Sequence, residues 1–180
     1  RSRSAFKLLQ LDEKFKFLYQ GQRVVDLGAA PGGWCQVAAN RVLTEKTGNI
    51  VGLDLLPMDP IPGVNLLQTD FMSQEGLSEL MKILTDKVDL VISDMAASTT
   101  WHSPTDHIRT AGLCEAAFDF AIDVLARDGV FLAKVFKGGS EHTLLARMKN
   151  TFKTVKHAKP NASRPESPET YVVAQGFRAN

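Results

Sequence analysis

Apolar residues along this chain gather in short, nearly unbroken runs, and each run stops at or beside an acid. Val24-Val25-Asp26-Leu27 leads into Gly28; Asn49 to Asp54, Val64 to Asp70 and Val88 to Asp94 repeat the pattern. Runs of roughly 4–8 residues without polar alternation are strands covered on both faces, the signature of a parallel sheet. Helical stretches separate them. Trp34 to Leu43 suits a helix, and Asp106 to Ala126 is the longest candidate, with Ile108, Leu113, Ala117, Phe120, Ala121, Val124 and Leu125 on one face before a turn at Arg127-Asp128-Gly129. Val130 to Phe136 follows as a buried strand that contains one lysine, Lys134. Ser140 is placed to cap a helix with Leu144, Leu145, Met148 and Phe152 inward. Thr154-Val155-Lys156 and Tyr171 to Ala174 close the fold as a hairpin around the proline-bearing loop Lys159 to Thr170. The expected architecture is α/β: a Rossmann-like, mostly parallel sheet with helices on both faces and a C-terminal antiparallel hairpin.

A chain of 180 residues, 44% apolar and 23% charged, suits one domain over 1–180, with 1–23 as a basic segment packed on it. No apolar run approaches the roughly 18 residues of a membrane span, and no leader opens the sequence, so it reads as cytoplasmic, with an organelle matrix left open. Cys35 and Cys114 provide neither a disulfide framework nor a structural zinc set, and His102, His107, His142 and His157 lack metal or triad spacing. No metal and no membrane partner is expected, and a monomer is the default.

Charge changes the picture more than composition does. The net charge is +1, yet residues 1–23 carry six basic against two acidic side chains and residues 133–180 nine against three, while 24–132 hold six against fifteen. Basic ends brought to one face suit a polyanion; an acidic centre suits a cation or a ligand rich in hydroxyls.

Ligands of doubly wound sheets bind outside the carboxyl ends of the strands, so Asp54, Asp70 and Asp94 should line one crevice with the Gly28 loop. Gly28-Ala29-Ala30-Pro31-Gly32-Gly33 lacks the middle glycine of the dinucleotide fingerprint and sets Pro31, which has no N–H, where a pyrophosphate would want a donor. Asp54 follows by about the ~20 residues expected of an acid that accepts from ribose hydroxyls. A ligand with an adenosine, no phosphate and a positive charge satisfies all three observations, and S-adenosyl-L-methionine is such a ligand. Taken singly, each Asp is equally a strand-end turn or cap.

Val24 to Trp34, Asp54-Leu55-Leu56-Pro57-Met58, Ser93-Asp94-Met95-Ala96, Lys134-Val135-Phe136, Ser163-Arg164 and Glu169-Thr170-Tyr171, read together from Arg1-Ser2-Arg3-Ser4-Ala5-Phe6-Lys7 onward, resemble the RrmJ/FtsJ family of ribosomal RNA 2′-O-methyltransferases over essentially the whole chain. The resemblance implies a seven-stranded methyltransferase fold, S-adenosyl-L-methionine as donor, and a catalytic set of Lys7, Asp94, Lys134 and Glu169. It places the donor against Gly28, Pro31, Gly32, Gly33, Trp34, Asp54, Leu55, Asp70, Phe71 and Asp94. It departs from the family at Ala97-Ser98, where Pro-Asn is usual.

The implied reaction is 2′-O-methylation of a uridine in large-subunit ribosomal RNA, with the ribosomal RNA or large ribosomal subunit as partner. Arg1, Arg3, Lys153, Lys156, Lys159 and Arg164 are the candidate phosphate contacts, and the scarcity of aromatics among them argues against base stacking. Burial and a neighbouring ammonium disfavour a charged Lys134, whereas Asp94 and Glu169 favour one, so a base and an orienting group are both open. Rival readings are the same chemistry on tRNA or an mRNA cap, a non-catalytic RNA-binding assembly factor, and a nicotinamide oxidoreductase, the last opposed by the glycine loop.

Overall fold

A computed structural model describes residues 3–98, 100, 102–136 and 142–180. Its elements run α1 (Arg3–Phe15), β1 (Arg23–Leu27), α2 (Gly33–Val42), β2 (Asn49–Asp54), β3 (Val64–Gln68), α3 (Gln74–Ile83), β4 (Val88–Ser93), α4 (Ser103–Val124), β5 (Leu125–Phe136), α5 (His142–Thr151), β6 (Phe152–Ala158) and β7 (Glu169–Phe177). The seven strands form one sheet in the order β3-β2-β1-β4-β5-β7-β6. β1 to β5 are parallel. β7 inserts antiparallel between β5 and β6. This is the expected mixed sheet with its antiparallel C-terminal pair.

Two apolar layers cover the sheet. Val25, Leu27, Val91 and Phe131 face α4 and α5 through Phe118, Ala121, Leu144 and Met148. Val24, Ile50, Leu90, Ile92 and Leu132 face α1 and α2 through Leu8, Leu11, Trp34 and Ala38. Successive strand residues thus feed opposite cores, which is why the runs show no polar alternation.

Several local expectations need correction. The long helix begins three residues earlier than its apolar pattern, because Pro104 at its first turn lacks an N–H that would go unpaired there anyway. Ile108 is 67% exposed, and the buried stripe runs instead through Thr110, Cys114, Ala117, Phe118, Ala121 and Val124. Arg127-Asp128-Gly129 lies within β5 as an irregularity, with Asp128 at positive φ and a register shift against β4. Phe152 opens β6 instead of closing the preceding helix. Ser140, the expected cap, lies outside the described residues.

Helix α1 is fixed by polar contacts at its far end. Asp12, 3% exposed, accepts from the backbone N–H groups of Phe17 and Leu18 at 3.0 and 2.8 Å and pairs with Arg41 of α2 at 2.7 Å. Gln175 donates to the Phe15 carbonyl at 3.0 Å, and Gln10 accepts from the Ala162 N–H at 2.8 Å. The helix therefore holds one rotation, which aims Ser4 and Lys7 at the carboxyl ends of the strands. Among the described residues no helix is long and apolar enough to cross a membrane.

Candidate functional site

The strand order reverses between β1 and β4, whose ends pair at Leu27 and Ser93. A cleft of about 500 Å³ opens there, lined among others by Gly28, Asp54, Leu55, Asp70, Phe71 and Asp94. That size lies in the usual range for small-molecule pockets, ~300–1,000 Å³. Gly28 has φ +72°, and a Cβ on it would stand 2.5 Å from Met95 Cγ, so only glycine lets the chain turn here and leave the cleft floor open. Its N–H and that of Ala29 donate to the Leu53 carbonyl at 2.8 and 3.0 Å. Asp54 binds both sides of the cleft mouth, accepting from Ala30 N–H and Leu56 N–H at 2.9 Å each. A carboxylate has about four lone-pair sites, which leaves two for a ligand.

Six of the ten residues expected around a donor line this cleft. The other four are not among its lining: Pro31 is exposed, Gly32 caps α2 in the left-handed region, and Gly33 and Trp34 are buried in its first turn. Trp34, 3% exposed, donates through Nε1 to the Ser4 carbonyl at 2.7 Å, so its polar edge serves α1. The loop at the family departure is held from α4: Ala97 N–H donates to Thr110 Oγ1 at 3.3 Å and Arg109 to the Ser98 carbonyl at 3.4 Å.

Lys7, Asp94, Lys134 and Glu169 come from α1, the end of β4, β5 and the start of β7, and they meet in one chain of contacts. Lys134 Nζ lies 3.2 Å from Asp94 Oδ1, 3.2 Å from Glu169 Oε1 and 3.3 Å from the Asp94 carbonyl. Lys7 Nζ lies 3.4 Å from Glu169 Oε2. Lys134 is 7% exposed, and three acceptors around one nitrogen match the three donors of an ammonium. A buried charge of this kind persists only when it is paired on all sides.

Two residues in this network escaped the sequence reading. Tyr171, fully buried in β7, donates to Asp94 Oδ1 at 2.6 Å, and Ser4 donates to Asp94 Oδ2 at 2.8 Å. Burial pushes the Tyr171 hydroxyl well above the usual phenol range, and the Asp94 carboxylate adds to the shift, so it stays a donor. Its ring packs 5.7 Å from Trp34, which links both halves of the site. The signal for Tyr171 was available: it stands two residues after Glu169 in one strand and so shares its face.

Beyond Glu169 a second cleft of about 460 Å³ is lined by Arg3, Lys7, Ala162, Arg164, Glu166, Ser167 and Glu169. Arg3 and Arg164, from the two basic ends, converge here. Lys159 donates to the carbonyls of Pro165 and Ser167 and so shapes the loop that carries Arg164. Lys153 does not join them, since it pairs with Asp128 at 2.6 Å near the opposite end of β5. Lys156 is exposed along edge strand β6, and Arg1 lies outside the described residues. Among the described residues no cluster of three His, Cys, Asp or Glu is arranged to hold a metal ion.

Asp26 is a buried acid with another status. It is 1% exposed, accepts from the Cys35 thiol at 3.2 Å through Oδ2, and has no hydrogen-bond partner at Oδ1. Burial first, and the nearby carboxylates of Asp94 and Asp54 next, push its carboxyl up to about 8.

A doubly wound sheet of this strand order, with acids closing β2 and β4 around a glycine turn, defines a Rossmann-like methyltransferase fold. The model of the FtsJ-like methyltransferase family matches residues 1–177, and the chain belongs to that family. It is 53% identical to ribosomal RNA large subunit methyltransferase E of Parvibaculum lavamentivorans, over 99% of this chain and 73% of that protein. It is 55% identical to the protein of the same name in Paramagnetospirillum magneticum, over 100% and 75%. Among solved structures, a Plasmodium falciparum protein assigned as a ribosomal RNA methyltransferase superposes with a TM-score of 0.87 at 30% identity, over 100% of both chains.

Proposed function

We propose that this chain is an S-adenosyl-L-methionine-dependent methyltransferase that modifies a ribose 2′-hydroxyl, most simply that of a uridine, in large-subunit ribosomal RNA, acting in the cytoplasm. The supporting observation is that the Asp94–Lys134–Glu169–Lys7 chain forms the ridge between two unlike clefts, one edged by Asp54, Asp70 and Asp94 and the other by Arg3, Lys7 and Arg164. Carboxylates stabilise a cation and arginines a phosphate. The two partners of a methyl transfer thus reach opposite sides of one buried lysine. The names of the relatives at above 50% identity support ribosomal RNA as the acceptor.

The first cleft fits the donor: it has the volume for a nucleoside, an open floor at Gly28, and Asp54 with two acceptor positions to spare. Asp54 would hold ribose hydroxyls, Asp70 and the apolar Leu55 and Phe71 would border the base, and Asp94 would face the cationic end. When bound, the donor supplies an electrophilic methyl group on a sulfonium.

The remaining work falls to the chain. Lys7 and Glu169 position the target ribose from the second cleft. Lys134, aimed by two carboxylates, would turn one of its three N–H donors from its resting acceptor to the 2′-oxygen and stabilise the negative charge that develops on that oxygen. The hydroxyl proton passes to the nearest carboxylate oxygen, on Glu169 or Asp94. Ser4 and Tyr171 keep Asp94 from rotating. Holding the reacting atoms in line supplies up to ~7–11 kcal/mol in well-oriented systems, and this arrangement is suited to that end.

The test is transfer of a radiolabelled methyl group to unmethylated large subunits, naked large-subunit RNA, tRNA and capped RNA, followed by alkaline digestion, which spares the bond next to a 2′-O-methyl. Protected label in ribosomal RNA alone, abolished by Lys134→Ala, is the expected result. Label in tRNA or cap alone, or undiminished transfer by the variant, would refute the reading.

A further inference from the structure

Phe6 stands out on α1. Its neighbours in sequence serve the ridge: Ser4 touches Asp94, Lys7 touches Glu169, and Ala5 packs against the core. Phe6 itself is 60% exposed. Arg3 and Phe6 are three residues apart and hence neighbours on one helix face, and Lys7 is the next residue round the helix. Phe6 is thus a helix neighbour of Arg3 and Lys7, two of the residues that line the second cleft together with Arg164, although its own ring is not part of that lining. The other exposed large aromatic among the described residues, Tyr19, lies past the far end of α1, near Arg23 and Asp89 at the amino ends of the strands.

An exposed phenylalanine beside two arginines and a lysine has a specific complement. A duplex would present phosphates to the cations and would keep its bases stacked on one another, out of the ring's reach. An unpaired nucleotide offers both a phosphate for the cations and a π-face for the ring. Resting on the RNA acceptor argued above, we infer that Phe6 stacks an unpaired base next to the target nucleotide, while Arg3 and Arg164 hold the phosphate between them. The substrate is then an RNA loop or strand whose nucleotides are splayed at the point of methylation. This departs from the expectation, drawn from the scarcity of aromatics among the basic residues, that stacking plays no part: the helix turns Phe6 outward beside them.

The experiment compares wild type with Phe6→Ala, Phe6→Leu and Phe6→Trp, titrating a short single-stranded RNA and the same RNA annealed to its complement, with binding read by fluorescence anisotropy. Stacking predicts that Phe6→Ala and Phe6→Leu weaken single-strand binding roughly 5- to 150-fold, that Phe6→Trp retains it, and that duplex binding is insensitive to all three. Wild-type-like binding by Phe6→Leu, an equal loss on the duplex, or no measurable single-strand binding by wild type overturns the inference. A protein contact at Phe6 would show as variants that bind naked RNA normally yet methylate assembled subunits poorly, and this too overturns it. Because Phe6 is exposed, thermal unfolding of the variants should match wild type. The two readings fail separately: if wild type binds the strand through Phe6 but methylates no RNA, only the proposed function falls.

Discussion

The two clefts flanking Lys134 are similar in volume and opposite in construction. The Gly28 cleft, proposed for the donor, is set by backbone: a glycine turn at positive φ, two N–H groups clamped on the Leu53 carbonyl, and an aspartate whose carboxylate bonds main chain on either side of the mouth. The other is walled by long side chains from distant parts of the chain, with Arg3 and Arg164 both exposed. A small rigid ligand rewards a preformed shape, whereas a polyanion is held chiefly by charge, with salt-dependent strength. The difference predicts that the first cleft is sensitive to geometry and the second to ionic strength.

The largest effect should come from the ridge that both clefts share. Lys134→Met is expected to lower kcat about 10²- to 10⁴-fold in single-turnover methyl transfer, with donor and RNA dissociation constants little changed. A loss confined to one ligand's affinity would place Lys134 in that cleft alone. Tyr171→Phe comes next. It deletes a hydrogen bond to the Asp94 carboxylate, a contact worth about 1.5–3 kcal/mol, so kcat should drop roughly 10- to 150-fold with KM for RNA nearly constant.

Paired substitutions then separate the clefts. Asp54→Ala should weaken donor binding about tenfold by calorimetry and leave RNA binding intact, since it removes the acceptor that braces Ala30 and Leu56. Arg164→Ala should do the reverse and reduce the slope of log K against log salt by about 1. If both variants lost both ligands, the clefts would be one site.

The effect that leaves the chemistry untouched concerns stability. Asp26 titrates near 8 in the fold against 3.8 in the unfolded chain, so the native state holds an extra proton between those values and loses stability as pH rises from about 4 to 8. Asp26→Asn, which keeps a neutral polar group, should flatten that slope in denaturant titrations between pH 5 and 8. An unchanged slope would mean that Asp26 is ionised in the fold.

Much of the sheet was legible because strands buried on both faces leave continuous apolar runs, and acids at their ends mark where a parallel sheet opens to ligands. Helix α4 was harder to place: its outward Ile108 mimics a buried position, and its start depends on Pro104. At the site, Asp54, Asp70 and Asp94 could be read from strand ends, while Lys7 and Glu169 came only from the family resemblance, since nothing local ties a residue in the first helix to one in the last strand. Tyr171, Ser4 and Phe6 were missed for one reason. Periodicity tells which residues share a face, and only the packing of α1 decides what that face meets. The failure of Lys153 to reach the second cleft has a related cause, because basic residues close in sequence are spread along the length of a β-strand.

Lys7 meets Glu169 across 162 positions of chain, and Ser4 meets Asp94 across 90. No shorter stretch contains the ridge. During synthesis α1 can meet Trp34 and Asp94 through Ser4 early, but Lys7 waits for its partner until the strand that carries Glu169 slips between β5 and β6. A nascent or C-terminally clipped copy retains the glycine turn and its acids but lacks Glu169 and Tyr171. The four-residue ridge is thereby assembled only once β7 is in place, so a copy lacking that strand keeps Lys7, Asp94 and Lys134 without the carboxylate that joins the two lysines.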